Sequence, residues 1–383
     1  MKLISLAPFL VGLAYGNPVV LKRADGLPTN CVYVNNIAFG ALPSDGEPGQ
    51  SPQYSMAQLN SALGAKICGY GWYSQVSSSN YDGSQLTAVM SDVVSSGAVF
   101  QPAVMPTLPL GDFTASTASQ VASVLEKFTS QGVEVWLRFG HEMNYYLSVG
   151  TYSGTAAQFV NAWKLMAAAV AGNDKIKMWW SPNNVGNNVG SVAQYWPGAE
   201  YVDLVGVDCY PSGSISSSTF GSCYQSFYST YSAAYNIPFA IGETGYCGSS
   251  GADDWLSAIM NPPSGYPNYI AASWFEYSKE CDFRIIESGN LAETQQILLH
   301  GATSSGGGGS GTGSGYPADT CTWGCEGWSC SSSSPCQSAY TCSRGVCGSC
   351  SWGCGGWDCS ASQPCNADYT CVSGVCHHSG PAT

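Results

Sequence analysis

Eight short apolar runs, spaced so that a helix fits between most neighbours, constrain this chain more than any other feature. They fall at residues 32–39, 65–72, 98–105, 133–139, 176–180, 202–207, 238–241 and 270–275. Helix-like segments at 56–63, 86–94, 118–130, 155–171 and 227–235 fill most of the gaps. Such alternation over about 270 residues has the count and length of a (β/α)8 TIM barrel. A doubly wound sheet also alternates strands and helices, but it would not set the two carboxylates described next across one mouth.

The fourth run ends in Arg138-Phe139-Gly140-His141-Glu142-Met143-Asn144, and the seventh in Ile241-Gly242-Glu243-Thr244-Gly245. In a parallel barrel the C-terminal ends of the strands face the site, so each segment delivers one Glu to the mouth. Two facing carboxylates are what cleavage of a glycosidic bond requires. The competing reading of each Glu is a structural ion pair. Near them, Arg138 would hold a carboxylate ionised if it reached one, His141 would position substrate or carboxyl, and Asn144 would meet a hydroxyl or shape its loop. Trp72, Trp180 and Trp274 lie at or near strand ends, where a ring can either stack on a sugar or pack the core. Because Trp179 and Trp180 alternate in direction, at most one of them faces the barrel.

The 303–315 stretch is Gly, Ser and Thr throughout, a tether with nothing to bury. Beyond it, Cys321, Cys325, Cys330, Cys336, Cys342 and Cys347 have steps of 4, 5, 6, 6 and 5, and Cys350, Cys354, Cys359, Cys365, Cys371 and Cys376 repeat them 29 residues on. The barrel is thus expected to be followed by two small disulfide-rich repeats, 316–347 and 348–383, too short to fold without cross-links. Each holds two tryptophans, Trp323 and Trp328 or Trp352 and Trp357, which either grip an insoluble glycan or cap the disulfides. Two copies on one tether would gain avidity on a repeating polymer.

Residues 1–16 carry Lys2 and an apolar run with small residues after it, the pattern of a signal peptide and too short to span a membrane. Lys22-Arg23 reads as a dibasic processing site, giving a propeptide at 17–23 and a catalytic domain at 24–302. Eighteen cysteines agree with secretion into an oxidising, extracellular setting. The net charge of −13 becomes −16 once Lys2, Lys22 and Arg23 are removed, which disfavours nucleic acid and anionic membranes as partners. No His-x-x-x-His or phosphate-binding loop appears, so no metal and no cofactor are expected. A monomer is expected.

The chain resembles glycoside hydrolase family 26, mostly secreted β-mannanases. The resemblance rests on His141-Glu142-Met143-Asn144, Gly242-Glu243-Thr244-Gly245, Trp180-Ser181-Pro182-Asn183, the run from Tyr201 to Tyr210, and Trp274, in the family's order over residues 31 to 300. It implies a retaining endo-β-glycosidase with Glu142 as acid/base and Glu243 as nucleophile. It further implies that Tyr210 hydrogen-bonds the nucleophile and that Trp274 floors the sugar being cleaved. Family members follow the Asn with Gly and then Trp residues lining the cleft, whereas this chain reads Tyr145-Tyr146-Leu147-Ser148. The resemblance makes β-1,4-mannan the leading polysaccharide substrate, and the altered run after Asn144 keeps β-1,3-xylan and mixed-linkage β-glucan as alternatives. A non-catalytic glycan-binding barrel, or an adhesion protein whose tail binds protein, are readings from other classes.

Overall fold

The computed structural model describes residues 26–46, 53–247 and 251–300, together with the backbone of four short strands in the tail. The chain divides into two compact units, 1–302 and 303–383. The expected signal peptide, propeptide and tether, and Trp323, Trp328, Trp352 and Trp357, lie outside the described residues.

In the first unit eight strands pair in chain order, all parallel. They are β1 (Ile37–Pro43), β2 (Gly69–Val76), β3 (Val99–Pro106), β4 (Val135–Phe139), β5 (Ile176–Trp180), β6 (Leu204–Val205), β7 (Phe239–Thr244) and β8 (Tyr269–Glu276). β8 pairs back onto β1 from Ala38↔Ala271 to Pro43↔Glu276, closing the barrel. Closure leaves no edge strand to protect.

Two strands sit later than the apolar runs predict. A short antiparallel strand, Tyr33–Val34, turns at Asn35 and Asn36, both at positive φ (50° and 66°), and β1 starts only after that turn. β2 continues through Ser74 and Gln75 toward the mouth. Gln75 lies at the mouth while Ser74 bonds the Tyr81 hydroxyl on the outer face, so the apolar run underestimates how far this strand reaches.

The helices begin where local chemistry starts them. Ser55 and Gln58 form a reciprocal capping box ahead of Met56–Leu63, which ends at Gly64 in the left-handed region (φ 82°). Thr155 and Gln158 form another ahead of Ala156–Val170. The segment expected as one helix at 86–94 is broken into Ser84–Thr87 and Met90–Ser96. The helix expected at 227–235 instead begins earlier, at Thr219–Phe227, and continues as a π-helical stretch, Tyr228–Ala233.

Side-chain alternation divides the barrel wall. Ala38, Val99, Trp136, Trp179, Leu204, Ala240 and Ala271 pack in its interior, and above them Ser273 donates to Gln101 at 2.7 Å. The opposite faces of the strands meet the helices in one large hydrophobic core. Three disulfides join Cys31 to Cys68, Cys209 to Cys223 and Cys247 to Cys281. The last joins the loop after β7 to the loop after β8.

In the second unit, Tyr340–Ser343 pairs antiparallel with Val346–Ser349, and Tyr369–Val372 with Val375–His378. Cys342 stands opposite Cys347 in the first hairpin, and Cys371 opposite Cys376 in the second. The repeat in sequence is thus a repeat in backbone pairing.

Candidate active site

Arg138 is the centre of the mouth. It points inward from β4, is 1% exposed, and its guanidinium donates to Glu243 Oε1 at 2.7 Å, to Ser181 Oγ at 3.0 Å and to Asp208 Oδ2. Asp208 Oδ1 in turn accepts from Ser181 Oγ at 3.0 Å and from the backbone N–H of Glu243 at 3.0 Å. Room for this guanidinium comes from Gly242 on β7, where a Cβ would stand 2.5 Å from Arg138 Nε.

Glu243 is delivered by an irregularity. The β7–β8 ladder slips between Ile241 and Thr244, and a slip of this kind re-aims a side chain at a strand end. Its second oxygen accepts from the Tyr210 hydroxyl at 3.1 Å. Burial alone would raise the Glu243 carboxyl, but the Arg138 guanidinium first, and the hydrogen-bond donors around it, hold it below the ordinary carboxylate range.

Glu142 lies one residue past His141 in the left-handed region (φ 48°, ψ 34°), a conformation rare for a residue with a side chain. Its N–H donates to Ser181 O at 2.7 Å, and its Oε1 accepts from Asn183 Nδ2 at 2.6 Å. Burial, and then the charge of Glu243, push the Glu142 carboxyl up to about 7. Oxygens of Glu142, Asp208 and Glu243 converge to within 4.8 Å of one another. Burial also raises the Asp208 carboxyl well above its ordinary range, outweighing the pull of Arg138, so Glu142 and Asp208 are the acids drawn toward the protonated form, and of these two Glu142 makes no direct contact with Arg138 in the ion-pair network. These three are the one carboxylate grouping among the described residues that could hold a cation, yet Arg138 already donates to two of them.

His141 is 1% exposed, its Nε2 3.6 Å from Glu243 Oε1, with its ring between those of Tyr73 (5.7 Å) and Tyr146 (5.3 Å). Burial, and then Arg138, lower its pKa to about 3, so it is neutral at ordinary pH. Asn144 does not line the cavity. Its carboxamide bonds both backbone groups of Asn183, donating to the carbonyl and accepting from the N–H, each at 2.9 Å.

A cavity of about 420 Å³ opens above the two glutamates. Tyr73, Tyr146, Tyr210, Phe275, Tyr277 and Phe283 supply its rings, and Phe275 and Tyr277 are stacked at 4.2 Å with 6° between planes. Asp45, Gln75, Lys279 and Glu280 add polar groups at its edge.

None of the three tryptophans expected at the cleft lines this cavity. Trp274 is fully buried on the helix-facing side of β8, its indole donating to Phe283 O at 2.7 Å, while the inward direction belongs to Ser273 and Phe275. Trp180 packs outward against Trp196, Phe227 and Tyr231, and Trp179 is the ring inside the barrel, 5.5 Å from Arg138. Trp72 donates to Gln85 O at 3.1 Å on the outer side of β2, and Tyr73 faces the cavity. Each expected Trp has a neighbour facing the barrel.

Residues not singled out from sequence include Asp208, Ser181 and Asn183. Parity carries a signal for them: Asp208 is two residues before Tyr210, and Ser181 two before Asn183, so each pair shares a strand face.

A barrel mouth with one carboxyl held neutral, a second held ionised, and a ring-lined cavity above them is the constellation that glycosidic hydrolysis uses. Residues 103–241 match the model of glycosyl hydrolase family 26, a span that includes Arg138, Glu142, Asn183, Asp208 and Tyr210 and stops two residues short of Glu243. The chain is similar to Endoglucanase H of Acetivibrio thermocellus, 31% identical over 185 residues, 44% of this chain and 20% of that protein. It is also similar to a mannan endo-1,4-β-mannosidase of Bacillus subtilis, 26% identical over 162 residues, 40% of this chain and 41% of that one. The chain therefore spans less than half the length of either relative. A solved family 26 β-mannanase from Bacteroides ovatus aligns with a TM-score of 0.49 at 15% identity, covering 68% of this chain and 87% of that one. The strand pairing itself, rather than a likeness at that level, establishes the barrel.

No described helix is long and apolar enough to cross a membrane.

Proposed function

We propose that the protein is a secreted, retaining endo-β-glycosidase acting on a β-linked polysaccharide, with β-1,4-mannan as the leading substrate. The observation that carries this is the approach of Glu142 and Glu243 to within 4.8 Å, with their proton affinities driven apart by different neighbours. Retaining glycosidases hold their two carboxyl groups about 5–5.5 Å apart, whereas inverting ones leave room for a water at roughly 6.5–9.5 Å.

In this reading Glu243, ionised by Arg138 and steadied by Tyr210, attacks the anomeric carbon while Glu142 gives its proton to the departing glycosidic oxygen. The bond to the leaving sugar breaks as the bond to Glu243 Oε forms. Glu142, now a carboxylate, takes a proton from water, which displaces Glu243 from the anomeric carbon and restores both groups with net retention. Neutral His141 fills the wall beside the nucleophile without competing for Arg138. Asn144 acts on the loop that carries Asn183. Phe275 and Tyr277 offer the stacking surface that Trp72, Trp180 and Trp274 were expected to supply. The two tail repeats, with Trp323, Trp328, Trp352 and Trp357, would hold the enzyme on insoluble glycan.

The mannan preference draws its support from the Bacillus subtilis relative's name, and the Acetivibrio relative keeps β-glucan open. The test is product release by the protein from mannan, β-1,3-xylan, mixed-linkage glucan and chitin, beside Glu243→Ala. Cleavage of one polymer, abolished in the variant and giving the retained anomer by NMR, is expected. Binding without any release would replace the enzyme with a glycan-binding barrel.

A further inference from the structure

The acid needs more than a raised proton affinity: its proton must sit on the oxygen that faces the leaving group. Glu142 is gripped from one side by a single strand extension. Beyond β5 the chain runs on through Ser181 and Asn183, with Ser181 O taking the Glu142 N–H at 2.7 Å and Asn183 Nδ2 reaching Glu142 Oε1 at 2.6 Å. These two contacts bracket the residue at φ 48°, and a left-handed side-chain-bearing residue persists only where its surroundings over-determine it.

Asn183 is itself held on three sides. Its N–H and carbonyl are both taken by the Asn144 carboxamide at 2.9 Å, and it bridges in parallel to Asp208, with Asn184 N donating to Asp208 O at 2.9 Å and Asp208 N to Pro182 O at 3.0 Å. Asn144 must supply one donor and one acceptor together, which the carboxamide does and a carboxylate does not.

We propose that Asn183 is the positioning residue of the acid: its amide donor takes Oε1 of Glu142, which leaves Oε2 as the oxygen that carries the transferred proton, and Asn144 aims that donor. An amide N–H cannot accept a hydrogen bond, so a proton on Oε1 would set donor against donor. The assignment rests on Glu142 acting as the acid. The same bond favours the ionised carboxylate, so it opposes the effects of burial and of Glu243.

The test uses the full chain carrying Asn183→Ala, with Asn144→Asp as the second variant. The Glu142 carboxyl is followed by 13C NMR titration, assigned through Glu142→Gln. Loss of the donor is expected to raise the midpoint by about one pH unit, a tenfold change in proton affinity. On an oligosaccharide, kcat is expected to fall about tenfold or more with KM nearly unchanged. On a dinitrophenyl glycoside of the same sugar, whose leaving group departs without a proton, kcat/KM, which reports only the step that expels the leaving group, should fall by less than about threefold. Asn144→Asp should move both readouts the same way by less. An unmoved midpoint, or equal losses on both substrates, would overturn the assignment. If the wild-type protein cleaves no glycan, the functional reading fails, while the titration still decides whether Asn183 governs Glu142.

Discussion

Arg138→Met keeps most of the side chain's volume and removes its charge, so it isolates what the guanidinium does. In the wild-type protein that group contacts Asp208, Glu243 and Ser181 with 1% of its surface exposed. Removing it leaves two buried carboxylates without a cation, and stripping one partner from a buried charge pair costs about 3–5 kcal/mol. At about 2–4 °C per kcal/mol for a domain of this order, the melting temperature at pH 7 should drop by about 6–20 °C. The pH dependence gives the sharper test. Glu243 has a lowered folded-state pKa in the wild type, so its stabilising contribution is present above the ordinary Glu value and lost as pH falls through the folded value. In the variant the carboxylates are raised, the folded state binds more protons than the unfolded one, and stability falls as pH rises. The gap between variant and wild type must therefore be widest near pH 7 and narrow toward pH 4. Thermal and urea unfolding at pH 4, 5.5 and 7 measure it. A loss below about 1 kcal/mol at pH 7, or a loss that does not change with pH, would refute the idea that Arg138 neutralises these acids.

Three further outcomes are expected. With Glu243 ionised below the ordinary range and Glu142 protonated up to about 7, kcat/KM should be bell-shaped, with an alkaline limb near 7 and an acid limb below the usual Glu value; Glu142→Gln should abolish the alkaline limb. Phe275→Ala should raise KM about fivefold, the worth of roughly 1 kcal/mol of ring contact, whereas Trp274→Phe should cost about 1–3 kcal/mol of stability through the unmet Phe283 carbonyl and leave KM unchanged. Glu276 is fully buried, pushed up to about 7 by burial, and accepts from the N–H groups of Ile285, Ile286 and Glu287. Glu276→Gln should free the segment between Tyr277 and Glu287 to limited proteolysis and raise KM, because Tyr277, Lys279 and Phe283 line the cavity from it.

The barrel was legible because eight buried parallel strands read as eight apolar runs, and the meeting of Glu142 and Glu243 at one mouth because each follows such a run. Phase at the strand ends was less legible. Trp72, Trp180 and Trp274 sit one step from the inward positions held by Tyr73, Trp179 and Phe275, and an apolar residue looks the same in sequence whether it faces helices or the barrel interior. Glu243 hides its phase further, since the slip in the β7–β8 ladder cannot be seen without the partner strand. Asp208 was visible in the Tyr201–Tyr210 run but, one of two acids there beside Asp203, gave no sign of reaching Arg138 across the barrel. The three barrel disulfides follow from which loops meet, Cys247 with Cys281 above all, and six cysteines offer fifteen pairings to a reader of sequence alone.

Gly242 has a consequence for how such a chain can drift. The atoms that make the two acids unlike each other sit in the neck of the barrel, and the space for them exists because this position has no Cβ to press on Arg138. Any heavier residue there would dislodge the guanidinium before it altered the mouth. Tyr145, exposed on the short helix Met143–Ser148 above the mouth, faces no such obligation. Such exposed positions can thus be exchanged without touching the acids, while a change at Gly242 displaces the guanidinium that both Asp208 and Glu243 contact.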